Sequence, residues 1–269
     1  MAKRPRPPTP RGAYRFLKNQ LGSVRDVYLR SDAVRPRGDM GNHRELVLLL
    51  HGFFQTRNIW EVMEDRLRFD GYGVMSFNLG GLLWRFNTHP VDRTAAMIAE
   101  KIESLRERYD FDRLHIVGHS KGGLIARRYV QHYGGDKRVK SVITLGTPHR
   151  GTPTAALGVA LMGFGAIRSS AADLLPGSGV VQRLSTDAFP GHIPLTSVYS
   201  RQDLVCPHWC SVLRRRPGES HLTNVEISGI GHSQLVWDGA VYRKVREHLD
   251  HASAIWSERV SRPHEGRLP

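Results

Sequence analysis

The sequence holds 269 residues, 40% of them hydrophobic and 24% charged, with 27 glycines; that length buries a sizeable core in one large domain, and that balance excludes a disordered chain. Lysine and arginine outnumber aspartate and glutamate by 39 to 25, a net charge of +14, which either suits peripheral association with anionic surfaces such as phospholipid headgroups or reflects a basic proteome. The arginines are scattered and no nucleic-acid-binding module stands among them.

In chain order, residues 1–40 read as a basic, partly disordered arm: Lys3, Arg4, Arg6, Arg11, Arg15 and Lys18 fall among prolines. No apolar stretch follows of the kind a secretory signal requires, so the expected location is cytoplasmic. The run Glu45 to Leu50 is continuously apolar after its first residue, as a strand buried on both faces should be, and it ends at His51-Gly52. Ile59 to Arg68 reads as a helix and Gly73 to Asn78 as a second strand. Val91 to Tyr109 carries Ala95, Met97, Ile98, Ile102 and Leu105 at helical spacing. Leu114 to Val117 is a third strand, Ser120 to Tyr133 a helix, and Val139 to Leu145 a fourth strand after the Gly134-Gly135 break.

The alternation lapses over residues 148–191, which are rich in glycine, alanine and leucine and interrupted by prolines; this stretch is expected to be a cap. It resumes with short strands at Leu195 to Ser200 and Asn224 to Ile227, then a helix from Gln234 to Leu249. Residues 253–269 are expected to fray. The pattern predicts an α/β fold over residues 41–252, a mostly parallel central sheet with helices on both faces. No apolar run reaches the roughly 18 to 20 residues of a spanning helix. Cys206 and Cys210 are too few for a disulfide-built fold and read as free thiols. With His208 they make three ligands without a fourth, so neither metal nor cofactor is expected.

The sharpest motif is Gly118-His119-Ser120-Lys121-Gly122, a G-x-S-x-G set between a strand and a helix. There a serine sits on a strained turn, and a side chain two residues before or after it would strike neighbouring backbone. A glycine-rich turn that binds phosphate at a helix N-terminus is the competing reading. The remaining machinery nevertheless follows in the order serine, acid, histidine, each just beyond a strand. Asp203 lies in the loop after Tyr199-Ser200, where a carboxylate can select a histidine tautomer and stabilise the imidazolium; as an alternative it is an ordinary turn residue. His232, in Gly229-Ile230-Gly231-His232, is the base candidate, since His115 falls inside a strand, His132 on the back of a helix and His221 before the last strand. An oxyanion would be met by the backbone amides of Lys121, at the helix start, and of Phe53, after His51-Gly52.

These residues, together with Gly146-Thr147-Pro148-His149-Arg150-Gly151-Thr152 and with Val205 and Pro207 after Asp203, resemble the bacterial triacylglycerol lipase and esterase branch of the α/β-hydrolases over roughly Glu45 to Leu249. The resemblance implies an α/β-hydrolase fold with a helical lid insertion, Leu157 to Ile167 being a lid helix over the serine, or alternatively a core helix. It implies hydrolysis of an ester or lipid with an apolar acyl chain through an acyl-enzyme. Lys121 departs from the pattern, which carries methionine more often. Acyl transfer or thioester cleavage on the same residues, and a non-catalytic scaffold that docks membranes or partners, are the other readings; the complete serine, aspartate and histidine set speaks against the last.

Overall fold

A computed structural model of the chain describes residues 43, 45–84, 86–109, 111, 113–161 and 166–261. The expected basic arm, residues 1–40, lies outside them. The elements in order are β1 (Glu45–Leu50), α1 (Glu61–Phe69), β2 (Gly73–Ser76), α2 (Val91–Arg108), β3 (Arg113–His119), α3 (Lys121–His132), β4 (Val139–Leu145), α4 (Ala155–Leu161), α5 (Ala166–Ala172), α6 (Gly179–Thr186), β5 (Leu195–Ser200), α7 (His208–Ser211), β6 (Leu222–Ile227) and α8 (Gly239–Ser261). The strands form one sheet in the order β2-β1-β3-β4-β5-β6, every neighbouring pair parallel. This is the α/β-hydrolase fold.

A parallel sheet covered on both sides needs strands that are apolar at every position, because successive side chains point to opposite faces. In β1, Leu46, Leu48 and Leu50 face a core shared with Ile98 and Ile102 of α2 and Leu124 and Ile125 of α3. Val47 and Leu49 face the other core, with Met63 and Leu67 of α1 and Val241, Val245 and Leu249 of α8. Each such side chain, removed from water, stabilises the fold by roughly 1.5–3 kcal/mol. The chain runs from β1 outward to β2, returns, and then adds β3 through β6 in the opposite direction. Right-handed crossovers in opposite directions place their helices on opposite faces, as α1 and α2 are placed. The strand order therefore reverses between β1 and β3, and the loops leaving their carboxyl ends diverge there to leave a crevice.

Several boundaries differ from the sequence reading: β2 ends at Ser76 rather than Asn78, β3 runs from Arg113 to His119 rather than Leu114 to Val117, α1 runs from Glu61 to Phe69 rather than Ile59 to Arg68, β6 begins at Leu222 rather than Asn224, and the last helix begins at Gly239 rather than Gln234. The last helix continues to Ser261 rather than ending near Leu249, because Ala252 is buried and the ring of Trp256 covers Lys140 Nζ at 3.0 Å. The expected tail from residue 253 is thus helical through 261. In the cap stretch the described helices are the short α4, α5 and α6, and residues 162–165 of the expected lid helix lie outside the described residues. Cys206 and Cys210 are free and buried. Among the described residues no helix is long and apolar enough to cross a membrane.

Candidate active site

The loops at the carboxyl ends of β1 and β4 touch the Ser120 turn directly, and those after β5 and β6 reach it through Gly146 and His119. β3 ends at His119 and α3 begins at Lys121, leaving one residue to reverse the chain; Ser120 does so at φ 53°, ψ −123°. That conformation costs a side-chain-bearing residue of order 1–3 kcal/mol and persists only when its surroundings hold it. The Ser120 N–H donates to the Leu145 carbonyl at 2.9 Å, and the Ser120 carbonyl accepts from Gly123 N at 3.1 Å and from the Thr147 hydroxyl at 2.9 Å. The neighbouring glycines are sterically required. A Cβ on Gly118 would come 2.7 Å from the Gly123 Cα, and on Gly122 and Gly123 it would collide with the Leu50 carbonyl and the Thr147 side chain.

Asp203 and His232 meet across the loops after β5 and β6. The Asp203 Oδ2 to His232 Nδ1 distance is 2.7 Å, and both residues are buried. The other carboxylate oxygen accepts the N–H groups of Val205 at 2.9 Å and Cys206 at 2.7 Å, so the aspartate is aimed by its own turn. β4 joins the pair to the serine. A Cβ on Gly146 would stand 3.0 Å from Asp203 Oδ2 and 3.1 Å from His232 Nδ1, while the preceding residue, Leu145, accepts from Ser120 N. His119 adds a second tie, its Nε2 donating to the His232 carbonyl at 3.1 Å and its Nδ1 lying 3.0 Å from Gln55 Oε1. Burial, reinforced by electrostatic interaction with the neighbouring His232 ring, holds His119 well below the usual histidine range, so it is a neutral strut.

The loop after β1 is fixed at several points. Gly52 N–H donates to Gln55 Oε1 at 2.8 Å, Phe54 N–H to the Asn87 carbonyl at 3.3 Å, and Asn87 Nδ2 to the His51 carbonyl at 2.8 Å. Gly52 lies against the Ser120 turn, for a Cβ there would be 2.9 Å from Ser120 Cβ. Among the described residues neither the Phe53 nor the Lys121 backbone N–H donates to a loop, turn or cap carbonyl.

The Lys121 side chain is fully buried. Its ammonium reaches Asn87 Oδ1 at 2.9 Å, Ser170 Oγ of α5 at 2.6 Å and the His89 carbonyl, three acceptors for three donors. Burial pushes its pKa down to about 7, with the Asp173 carboxylate opposing the shift. Gln55 and Asn87 carry no local motif that marks them, and the structural parts of Thr147 and His119 are not marked by the motifs that hold them. Their roles arise from contacts between distant segments; only Thr147, inside Gly-Thr-Pro-His, and His119, inside the serine pentapeptide, lie within stretches the sequence singled out.

A profile of the alpha/beta hydrolase fold family matches residues 45–176. Among curated proteins, the chain is similar to a GPI inositol-deacylase of Candida albicans, 28% identical over 139 residues covering 50% of this chain and 28% of that protein. It is also similar to a proline iminopeptidase of Clostridium botulinum, 34% identical over 94 residues covering 35% and 32% of the two chains. The matched region thus spans less than a third of those relatives. Among solved structures, it superposes on a lipase of Bacillus licheniformis with TM-score 0.59 at 17% identity, over 80% of this chain and 94% of that one. A monoacylglycerol lipase of Paleococcus ferrophilus gives TM-score 0.55 at 19% identity over 80% and 95%.

Proposed function

The chain belongs to the α/β-hydrolase fold family, and from that premise we propose that it is a serine hydrolase of carboxylic esters, of the lipase and esterase branch, with Ser120 as nucleophile. The observation that carries this reading is the buried Asp203–His232 pair at 2.7 Å, joined through Gly146 and Leu145 to a serine held at positive φ. His232 accepts the Ser120 hydroxyl proton as the oxygen attacks the ester carbonyl carbon, and Asp203 stabilises the imidazolium. The Phe53 and Lys121 amides receive the oxyanion. The tetrahedral adduct collapses with loss of the alcohol, which takes its proton from His232 and leaves Ser120 acylated. Water, deprotonated by His232, then releases the acid and restores the hydroxyl.

An apolar acyl chain is supported by the side chains around this end of the sheet: Phe53, Phe54 and Phe86 pack ring on ring, and Leu82, Leu83, Leu157, Leu204 and Trp209 are exposed on the surrounding loops and on α4. α4 and α5 serve as the cap, since Ser170 on α5 donates to the His89 carbonyl at 2.9 Å and also meets the Lys121 ammonium. The excess positive charge supports peripheral association with anionic lipid.

The test is hydrolysis of p-nitrophenyl esters of short, medium and long acyl chain by wild type and Ser120→Ala, in solution and as emulsions, beside labelling by a fluorophosphonate. We expect turnover and labelling in wild type and a loss of about 10³-fold or more in the variant. Wild type that labels but hydrolyses no ester redirects the reading to acyl transfer or thioester cleavage. Wild type that fails both sinks it in favour of a non-catalytic scaffold.

A further inference from the structure

A cavity of about 730 Å³ lies on the α2/α3 side of the sheet, away from the serine, between α3, the segment after β4, α6 and the loop before β6. Among the described residues Ser120, Asp203 and His232 do not line it. Five guanidinium side chains do: Arg127, Arg150, Arg214, Arg215 and Arg216. Elsewhere several arginines are matched to carboxylates, as Arg68 is to Glu64, Arg128 and Arg183 to Asp92, Arg138 to Glu103, Arg201 to Glu226 and Arg246 to Asp70. Among the described residues none of the five cavity arginines has such a partner. The two carboxylates in the wall are engaged otherwise: Glu219 accepts the Arg216 backbone N–H at 2.7 Å, and Asp187 lies 3.2 Å from His132 Nε2.

Four of the guanidiniums are nevertheless anchored. Arg127 donates to the Leu184 carbonyl and, at 3.3 Å, to Nδ1 of His149. Arg150 reaches the Trp209 carbonyl at 3.2 Å, Arg215 the Leu222 carbonyl at 3.2 Å, and Arg216 the Ser185 and Thr186 carbonyls at 3.2 and 2.9 Å. Neutral carbonyls fix where the charges sit without cancelling them. Arg127 is nine-tenths buried, and its Nε is without an acceptor among the described residues. Burial lowers it to about 10, with Glu219 opposing, so it stays cationic at neutral pH and its charge faces the cavity unpaired. An unpaired buried charge is costly; a bound anion removes the cost.

Guanidinium forks match the oxygen geometry of phosphate and leave several N–H donors free after each carbonyl contact. The volume falls within the roughly 300–1,000 Å³ of organic-ligand sites, far more than a bare phosphate needs, and Val181, Leu184, Phe189, Leu213 and Leu222 supply an apolar wall. We propose that this cavity binds a phosphate ester, its phosphate held among the five arginines and its organic part laid against that wall. The site is separate from the ester-cleaving reading and does not depend on it.

The full chain is titrated calorimetrically with glycerol 3-phosphate and with glycerol, and is sedimented with phosphatidylcholine vesicles with and without phosphatidic acid. Each is repeated for Arg214→Gln/Arg215→Gln, whose positions are exposed, and for a charge-matched control away from the cavity, Lys101→Gln/Arg243→Gln. We expect wild type and control to bind the phosphate-bearing probe and not its phosphate-free counterpart, with affinity at least about tenfold weaker in the arginine variant. Saturation by glycerol 3-phosphate identifies a soluble ester as sufficient; selective binding to phosphatidic acid vesicles alone identifies a lipid headgroup. The proposal is overturned if wild type binds neither probe, or if the arginine variant and the control weaken equally. Because binding is read without turnover, these outcomes are independent of ester hydrolysis.

Discussion

The Lys121 side chain leaves the Ser120 turn and ends among Asn87, His89 and Ser170, so one residue carries the proposed backbone donor to the oxyanion and fastens the 86–89 loop and α5 with its ammonium. Its folded pKa, about 7, lies below the ordinary lysine value of 10.5. Between those values the unfolded chain binds a proton that the folded chain releases, and stability rises with pH by at most about 1.4 kcal/mol per pH unit from this group. Its contribution is therefore full above about pH 10.5 and is lost as the pH falls through about 7. In urea melts from pH 6.5 to 10, wild type should gain stability relative to Lys121→Met as the pH rises. A difference that stays flat with pH would show that the ammonium is as stable buried as exposed. The chain order of Ser120, Asp203 and His232 was readable because each follows a strand whose pattern is local. Asn87, Gln55 and the ammonium partners of Lys121 were not, because they come from segments tens of residues away that only the closed sheet brings together.

Whole elements were legible where hydrophobic period and punctuation coincide. β1, β4 and β5 have the boundaries their apolar runs imply. α2 ends one residue early, at Arg108. The end of α8 was not legible, since no glycine or proline stands between Leu249 and Pro263 and the residues that prolong the helix do so by contacts with distant strands. Ser253 donates to the Glu45 carboxylate, which His115 also meets at 2.5 Å, and Trp256 covers Lys140. The last three turns thus buttress the amino-terminal ends of β1, β3 and β4. A chain ending at Leu249 should fold less stably by about 2 kcal/mol or more, seen as a lower denaturation midpoint; equal midpoints would mean that this part of the helix packs without consequence.

At the scale of the molecule, the sheet carries both the site and a latent sensitivity to acid. His51, His119, His149 and His248 are buried and held below the usual histidine range by desolvation, His51 and His248 down to about 3. Below pH 6.5 the unfolded chain takes up protons that these four side chains refuse in the fold. Stability is therefore complete above about pH 6.5 and falls as the pH drops toward 3, by as much as about 1.4 kcal/mol per unit for each histidine. The urea midpoint should decline steeply between pH 6.5 and 5, and His248→Gln should make that decline shallower; an unchanged slope would remove His248 from the account. The cap was the part of the architecture least open to sequence reading, because small residues and prolines specify neither period, and α4 and α5 are each only seven residues long.

The two thiols have a practical consequence. Cys206 and Cys210 are both sealed beneath the turn that aims Asp203, and burial pushes Cys206 well above the ordinary thiol range. A cysteine introduced at the exposed Leu157 of the cap would be the accessible alkylation target of the native fold. A fluorophore or spin label could be placed there without first deleting the native thiols, and the Cys206 amide would remain in place beneath the carboxylate it supports.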